Sequence, residues 1–89
     1  NNGNDFIVGG LAADTIFGEN GDDQLFGNEA ADTLRGGNGD DLLEGGDAPD
    51  TLWGENGNDI LIGGAGIDNA NGGADIDSCD AESKSNCEP

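Results

Sequence analysis

Residues 18–62 read GENGDDQLF GNEAADTLR GGNGDDLLE GGDAPDTLW GENGNDILI, which are five consecutive nine-residue blocks in a single register. Every block has Gly at its first position, Asp at its sixth and Leu at its eighth. The register continues outward, upstream through GGLAADTIF and a truncated NNGNDFIV, and downstream through GGAGIDNAN and GGADIDSCD. A repeat of fixed period predicts a stacked repeat architecture rather than an ordinary globular core.

Each block divides into a turn and a short strand. Positions one to six are rich in Gly, Asn and Asp, which favour turn and left-handed conformations. Positions seven to nine predict a three-residue strand whose eighth side chain points inward. Two blocks then make one 18-residue coil, and the chain predicts an all-β parallel β-roll of about five coils. The predicted core is a single file: Ile7, Ile16, Leu25, Leu34, Leu43, Leu52 and Leu61.

Charge decides which partners the chain can have. It has 20 acidic and two basic side chains, no His, a net charge of −18, and only 33% hydrophobic residues. Such a composition does not fold in water by apolar burial alone, so it predicts a bound cation. It argues against nucleic acid or an anionic membrane as a partner. The sequence also has no apolar run long enough to span a bilayer.

The sixth-position aspartates are the candidate metal ligands. Residues 18 apart stack in adjacent coils, so these carboxylates form two columns, in which neighbours repel by roughly 1 kcal/mol in water. Oxygen donors without nitrogen or sulfur favour calcium over zinc or copper, and flexible loops favour it over magnesium. The predicted ligands of several Ca²⁺ ions are Asp5, Asp14, Asp23, Asp32, Asp41, Asp50, Asp59, Asp68 and Asp77.

The pattern G-G-x-G-x-D-x-U-x resembles the RTX (repeats-in-toxin) calcium-binding nonapeptide family over residues 1–80. The resemblance implies a right-handed β-roll in a secreted, extracellular protein, with each ion between the loops of successive coils. Two sixth-position aspartates and loop carbonyls would hold that ion. The carbonyl residues implied are Gly3, Gly18, Asn20, Gly21, Gly36, Asn38, Gly39, Gly54, Asn56, Gly57 and Gly72.

The copies alternate in their loop sequence. Counting the truncated copy as the first, the first four odd-numbered copies read N-G-N/D-D at positions three to six. Three of the four even copies place Ala12, Ala30 and Ala48 at position four, where a positive φ would strain a residue with a Cβ, and only the last even copy has glycine there, Gly66. Either these loops form a variant turn and still bind calcium, or that side is poor in metal. Unbroken aspartates on both sides favour binding on both.

The outward faces suggest contacts. The face of the odd copies is apolar, with Phe6, Phe26, Leu42, Ile60 and Ile62. It is either a contact patch for another roll or a parent domain, or a ladder of side chains packing between coils. On the other face, Arg35 falls between Phe17 and Trp53 one coil away on either side, which predicts a cation–π ladder.

The C-terminal end departs from the repeat. Residues 81–89 no longer follow the register, and Cys79 and Cys87 predict one disulfide, formed in an oxidising compartment. We expect this tail to cap a calcium-binding β-roll spanning 1–80. The chain opens within a repeat, which predicts a fragment or processed product.

Function is predicted to be non-catalytic. Without His, neither a Ser-His-Asp nor a Cys-His site can form, and every acidic pair is accounted for by the repeat. The leading hypothesis is a calcium-dependent folding module with a structural role in a secreted protein. The alternatives are a self-assembling extracellular fibre or adhesin element and, more remotely, an ice- or glycan-binding solenoid.

Overall fold

The computed structural model describes residues 3–64, 66, 68–73, 78–80 and 83–85, the last two segments through their backbone alone. Every regular element in these residues is a β-strand. The strands are β1 (Phe6–Gly10), β2 (Thr15–Asn20), β3 (Gln24–Asn28), β4 (Thr33–Asn38), β5 (Leu42–Gly46), β6 (Thr51–Asn56), β7 (Ile60–Gly64), β8 (Asn69–Asn71), β9 (Ser78–Asp80) and β10 (Ser83–Ser85).

The strands form two parallel sheets, one of the odd-numbered and one of the even-numbered strands. Through β9, partners are 18 residues apart, as in Leu25↔Leu43 and Leu34↔Leu52. The predicted parallel β-solenoid is therefore confirmed, with about four turns where about five coils were predicted. At the C-terminal end Ser83 pairs with Asn69, an offset of 14, so the last coil is shorter than the others.

The predicted three-residue strands were too short. Strands β1 to β7 begin at position seven as predicted, but they have five or six residues. The five-residue strands continue through positions one and two of the following block, where Gly10 pairs with Asn28 and Gly46 with Gly64. The six-residue strands continue through position three, where Asn20 pairs with Asn38. Treating all the glycines as turn formers caused the error, because the first glycine of each block lies in extended backbone.

The core is the predicted single file of eighth-position side chains. Leu25, Leu34, Leu43, Leu52 and Leu61 are 0% exposed. The buried part of the file begins at Ile16 and ends at Ala70. Ile7, which precedes Ile16 in the file, is only partly buried. Burial of each leucine stabilises the roll by roughly 1.5–3 kcal/mol.

The outward faces contain the predicted side-chain ladders. The Arg35 guanidinium carbon lies 5.5 Å from the Phe17 ring centroid and 5.0 Å from that of Trp53, which confirms the cation–π ladder. Its Nε also donates to Glu55 Oε2 at 2.5 Å. On the odd face, the rings of Phe6 and Phe26 pack with centroids 5.2 Å apart.

Part of the sequence-based prediction falls beyond the described residues. Asp77 and Cys87 lie outside them, and of Cys79 only the backbone is described. The disulfide and the capping tail therefore stay predictions. Within the described part of the chain, no helix has the length and hydropathy needed to cross a membrane.

Candidate metal centre

The sixth-position carboxylates lie inside the roll. Six of these side chains are at most 3% exposed: Asp23, Asp32, Asp41, Asp50, Asp59 and Asp68. The turn that precedes each strand directs them toward the interior, in two columns that flank the leucine file. The structure thus places the described aspartates of the predicted ligand set in two continuous columns, one on the odd side and one on the even side.

One oxygen of each stacked carboxylate is held by the backbone of the previous coil. The N–H of Asp5 donates to Asp23 Oδ1 at 2.8 Å, and that of Asp23 to Asp41 Oδ1 at 2.7 Å. The other column repeats this bond from Asp32 to Asp50 Oδ1 at 2.8 Å. These bonds fix the orientation of each carboxylate along the roll axis.

The first-position glycines create the space for these carboxylates. A Cβ built on Gly18 would lie 2.5 Å from Asp23 Oδ2, and one on Gly9 would lie 2.7 Å from Asp14 Oδ2. The glycine at position one and the aspartate at position six therefore depend on each other. Sequence reasoning attributed this glycine to turn geometry and missed the pairing, although both residues recur together in consecutive blocks.

The second oxygen of these carboxylates is the feature that points to a ligand. Oδ2 is buried and has no hydrogen-bond partner in Asp5, Asp23, Asp32, Asp41 and Asp50. A buried ionised carboxylate with an unsatisfied oxygen is costly unless a cation compensates it. Two columns of such oxygens, spaced by one strand separation, are a chemically suitable lining for a hard divalent cation.

Burial changes the acidity of the columns. It raises the pKa of Asp41 to about 6, outweighing the lowering by the hydrogen bond from Asp23, and the charges of Asp23, Asp22 and Asp40 raise it further. Burial likewise raises the pKa of Asp50 to about 6. Without a cation, these two carboxyls of the folded roll therefore take up protons at a higher pH than exposed carboxyls do.

A calcium ion held by these columns would need backbone carbonyls in addition to the carboxylates. Among the described residues, no three His, Cys, Asp or Glu side chains converge on a common metal position. Two carboxylates alone leave a calcium ion short of its six to eight oxygens, and carbonyl oxygens are ligands that calcium accepts readily. The loops that flank the columns are the source of such oxygens.

We call positions one to six of the odd and even copies the odd loops and the even loops. In the odd loops, the position-four residues Gly3, Gly21, Gly39 and Gly57 have φ between 106° and 113°. A Cβ on Gly21 would collide with the carbonyl oxygen of Gly3, and one on Gly39 with that of Gly21. The odd loops are thus stacked so closely that only glycine fits at position four.

Two side-chain ladders join the odd loops along the roll. At position five, the Asp22 N–H donates to Asn4 Oδ1, the Asp40 N–H to Asp22 Oδ1 and the Asn58 N–H to Asp40 Oδ1, each at 2.8 Å. The N/D choice at position five is therefore a stacking requirement. Sequence reasoning did not identify it, although position five is Asn or Asp in each of the first four odd copies, which was a visible signal.

A second ladder runs along position three. Asn38 Nδ2 donates to Asn20 Oδ1, and Asn56 Nδ2 to Asn38 Oδ1, both at 2.8 Å. The backbone adds bonds from Gly21 N–H to the Asn38 carbonyl at 3.0 Å and from Gly39 N–H to the Asn56 carbonyl at 3.1 Å. The predicted loop residues of the odd side therefore lie in one ordered stack.

Two of the three position-four alanines of the even loops have a positive φ. Ala30 and Ala48 adopt φ of 70° and 77°, so alanine accepts the left-handed conformation that glycine has in the odd loops. This costs roughly 1–2 kcal/mol per residue. Their inter-coil backbone bonds differ as well, running from Glu29 N–H to the Gly10 carbonyl and from Asp47 N–H to the Asn28 carbonyl. The left-handed turn is therefore kept at Ala30 and Ala48, but the backbone hydrogen bonds between successive even loops join other positions than those between the odd loops.

A family model describing the RTX calcium-binding nonapeptide repeat, four copies long, matches residues 1–34 and again 35–70. No curated protein and no solved structure matches the chain significantly.

Proposed function

Because this chain belongs to the family of RTX calcium-binding nonapeptide repeats, we propose that it is a non-catalytic module that folds as calcium binds between its coils. The observation that supports this most directly is the stack of buried carboxylates with unsatisfied Oδ2 atoms, such as those of Asp23 and Asp41. Calcium, when bound, supplies the positive charge that these oxygens lack. The roll then becomes stable despite a net charge of −18.

The proposed ligands come from two successive loops. Each ion is held by the sixth-position aspartates of both loops, with carbonyls of positions one, three and four completing the shell. The odd column of five aspartates has four gaps and the even column of four has three, which sets the largest number of such ions. An interior aspartate such as Asp41 is then shared by the ions on either side of it.

We propose an extracellular location for the module. Its calcium requirement suits a compartment where calcium is abundant, since extracellular modules bind it with dissociation constants of about 0.1–1 mM. Coupling folding to binding would keep the chain unfolded until it reaches such a compartment. The role after folding is structural, as a rigid roll that positions neighbouring parts of the protein.

Circular dichroism with a chelator and then with added calcium tests this proposal. We expect a disordered spectrum in chelator at pH 7 and a β-rich spectrum with millimolar calcium, while magnesium at the same concentration has a much smaller effect. A β-rich spectrum in chelator that calcium leaves unchanged would refute the coupling of folding to binding.

Calorimetric titration tests the shared ligands. Asp41→Ala should remove two adjacent ions, and Glu29→Gln, a charge removal at an exposed side chain, should remove none. Loss of a single ion, or of none, from the Asp41→Ala variant would show that the aspartates do not bridge neighbouring sites.

Self-assembly is a second candidate role, favoured by the apolar odd face. Phe6 is 67% exposed, and Val8 and Ile60 are each 49% exposed, which is unusual for a solvated sheet. Two rolls could bury these side chains against each other. Sedimentation of the calcium-loaded chain at increasing concentration tests this, with Ile60→Ser as the weakened variant. A monomer at all concentrations would exclude self-assembly through this face.

A further inference from the structure

We propose that the roll has two classes of calcium site, a tighter class between the odd loops and a weaker class between the even loops. This inference rests on the proposed calcium-binding function. It follows from differences between the two sides that the described residues show directly.

Both sides have the feature that points to a cation. Oδ2 is buried and without a hydrogen-bond partner in Asp23 and Asp41 of the odd column, and in Asp32 and Asp50 of the even column. All four side chains are at most 3% exposed. Both sides therefore have the buried carboxylates that a cation needs. A difference in calcium affinity between the two sides must then come from the loops.

In the folded roll, side-chain ladders join successive odd loops. Backbone bonds and the ladders at positions three and five connect these loops, for example through Asn38 and Asp40. In the even loops, position five is Ala13, Ala31, Pro49 or Ile67, which have no side-chain oxygen with which to form such a ladder. Because folding and binding are coupled, the additional bonds of the odd loops offset part of the conformational entropy lost on binding, so the odd sites bind more tightly.

The position-four carbonyls of the odd loops lie directly between coils. The carbonyl oxygen of Gly21 occupies the place where a Cβ of Gly39 would be, so it projects toward the next loop. On the even side, a Cβ on Gly66 would be 2.9 Å from the Ala48 carbonyl oxygen, and the backbone atoms there leave more room. At position four, successive odd loops thus approach each other more closely than Ala48 and Gly66 do on the even side.

Charge does not distinguish the two columns, because three carboxylates act on Asp41 and three act on Asp50. The expected difference between the two classes therefore comes from the hydrogen bonds and the packing of the loops. We expect a difference of about tenfold or more in dissociation constant between the two classes.

Calcium titration by chelator competition and calorimetry tests the inference on the full chain. The wild type should show two classes. Asp41→Asn should abolish or weaken part of the tight class by about tenfold or more, while the matched Asp50→Asn should leave the tight class intact and reduce the weak one. A loss of tight sites in Asp50→Asn together with intact tight sites in Asp41→Asn would overturn it.

Position-four variants keep the test decisive if an aspartate variant fails to fold. The double variant Ala30→Gly, Ala48→Gly removes the strained alanines without touching any carboxylate, so the weak class should tighten several-fold and the tight class should not change. An unchanged weak class in the double variant would refute the assignment. A single class in the wild type would refute the inference alone, whereas no calcium binding at all would refute the proposed function.

Discussion

The metal-free roll should be more stable in mild acid than at neutral pH. Burial raises the pKa of Asp41 and that of Asp50 from 3.8 to about 6 in the folded chain. Because the folded state holds these protons more tightly than the unfolded state, it gains stability where both carboxyls are protonated. That stability is fully present below pH 4 and is lost as the pH rises through 6.

The magnitude is large relative to the stability of a small domain. A shift of about two pKa units corresponds to roughly 3 kcal/mol per group, so the two residues together change the free energy of unfolding by at most about 6 kcal/mol. Small domains are stable by only about 5–15 kcal/mol. Deprotonation of these two buried carboxyls should therefore destabilise the metal-free chain substantially by pH 7, and protons or calcium should each offset that loss.

The assay is circular dichroism of calcium-free protein between pH 3.5 and 7.5. We expect the β signal to increase as the pH falls from 6.5 to 4.5. The double variant Asp41→Asn, Asp50→Asn should show a much weaker pH dependence, because it has neutral groups of the same shape at both positions. The control double variant Glu29→Gln, Glu44→Gln removes the same number of charges and should behave as the wild type.

Two outcomes would refute this reasoning. A metal-free β signal that grows with rising pH would contradict the sign of the linkage. An equal loss of pH dependence in the control double variant would mean that general charge repulsion in a chain of net charge −18, rather than the buried columns, controls folding.

Further predictions concern the core, the glycines, the outer ladder and the C-terminal end. Leu43→Ala should cost about 2–5 kcal/mol, because its side chain is 0% exposed, and should raise the calcium concentration needed for folding followed by circular dichroism. Gly36→Ala should prevent folding at any calcium concentration, because the added Cβ would lie 2.9 Å from Cγ of Asp41. A β-rich circular dichroism spectrum of this variant would contradict the prediction. Arg35→Ala should lower stability by about 1–2 kcal/mol in thermal melts by loss of the cation–π contacts. Mass spectrometry of native protein should find Cys79 and Cys87 bonded, and two alkylatable thiols would exclude the disulfide.

The sequence by itself determined the architecture. A strict period of nine with a buried leucine at position eight is sufficient to predict strands that stack every 18 residues, as Leu25, Leu43 and Leu61 do. The alternation of inward and outward side chains is local to each strand, so it could be predicted without knowing how coils stack. The acidity of the chain and its oxygen donors likewise favoured calcium before any geometry was known.

Only the tertiary structure decided how the loops use their residues. The ladder that includes Asp22 joins residues of adjacent coils, and so does the close approach of Gly39 to the carbonyl oxygen of Gly21. Those contacts depend on the separation and rotation between coils, which no nine-residue pattern specifies. The sixth-position aspartates are therefore equivalent in sequence. The stacking of coils, however, gives the odd and even loops different backbone hydrogen bonds and leaves different amounts of space for a Cβ at position four.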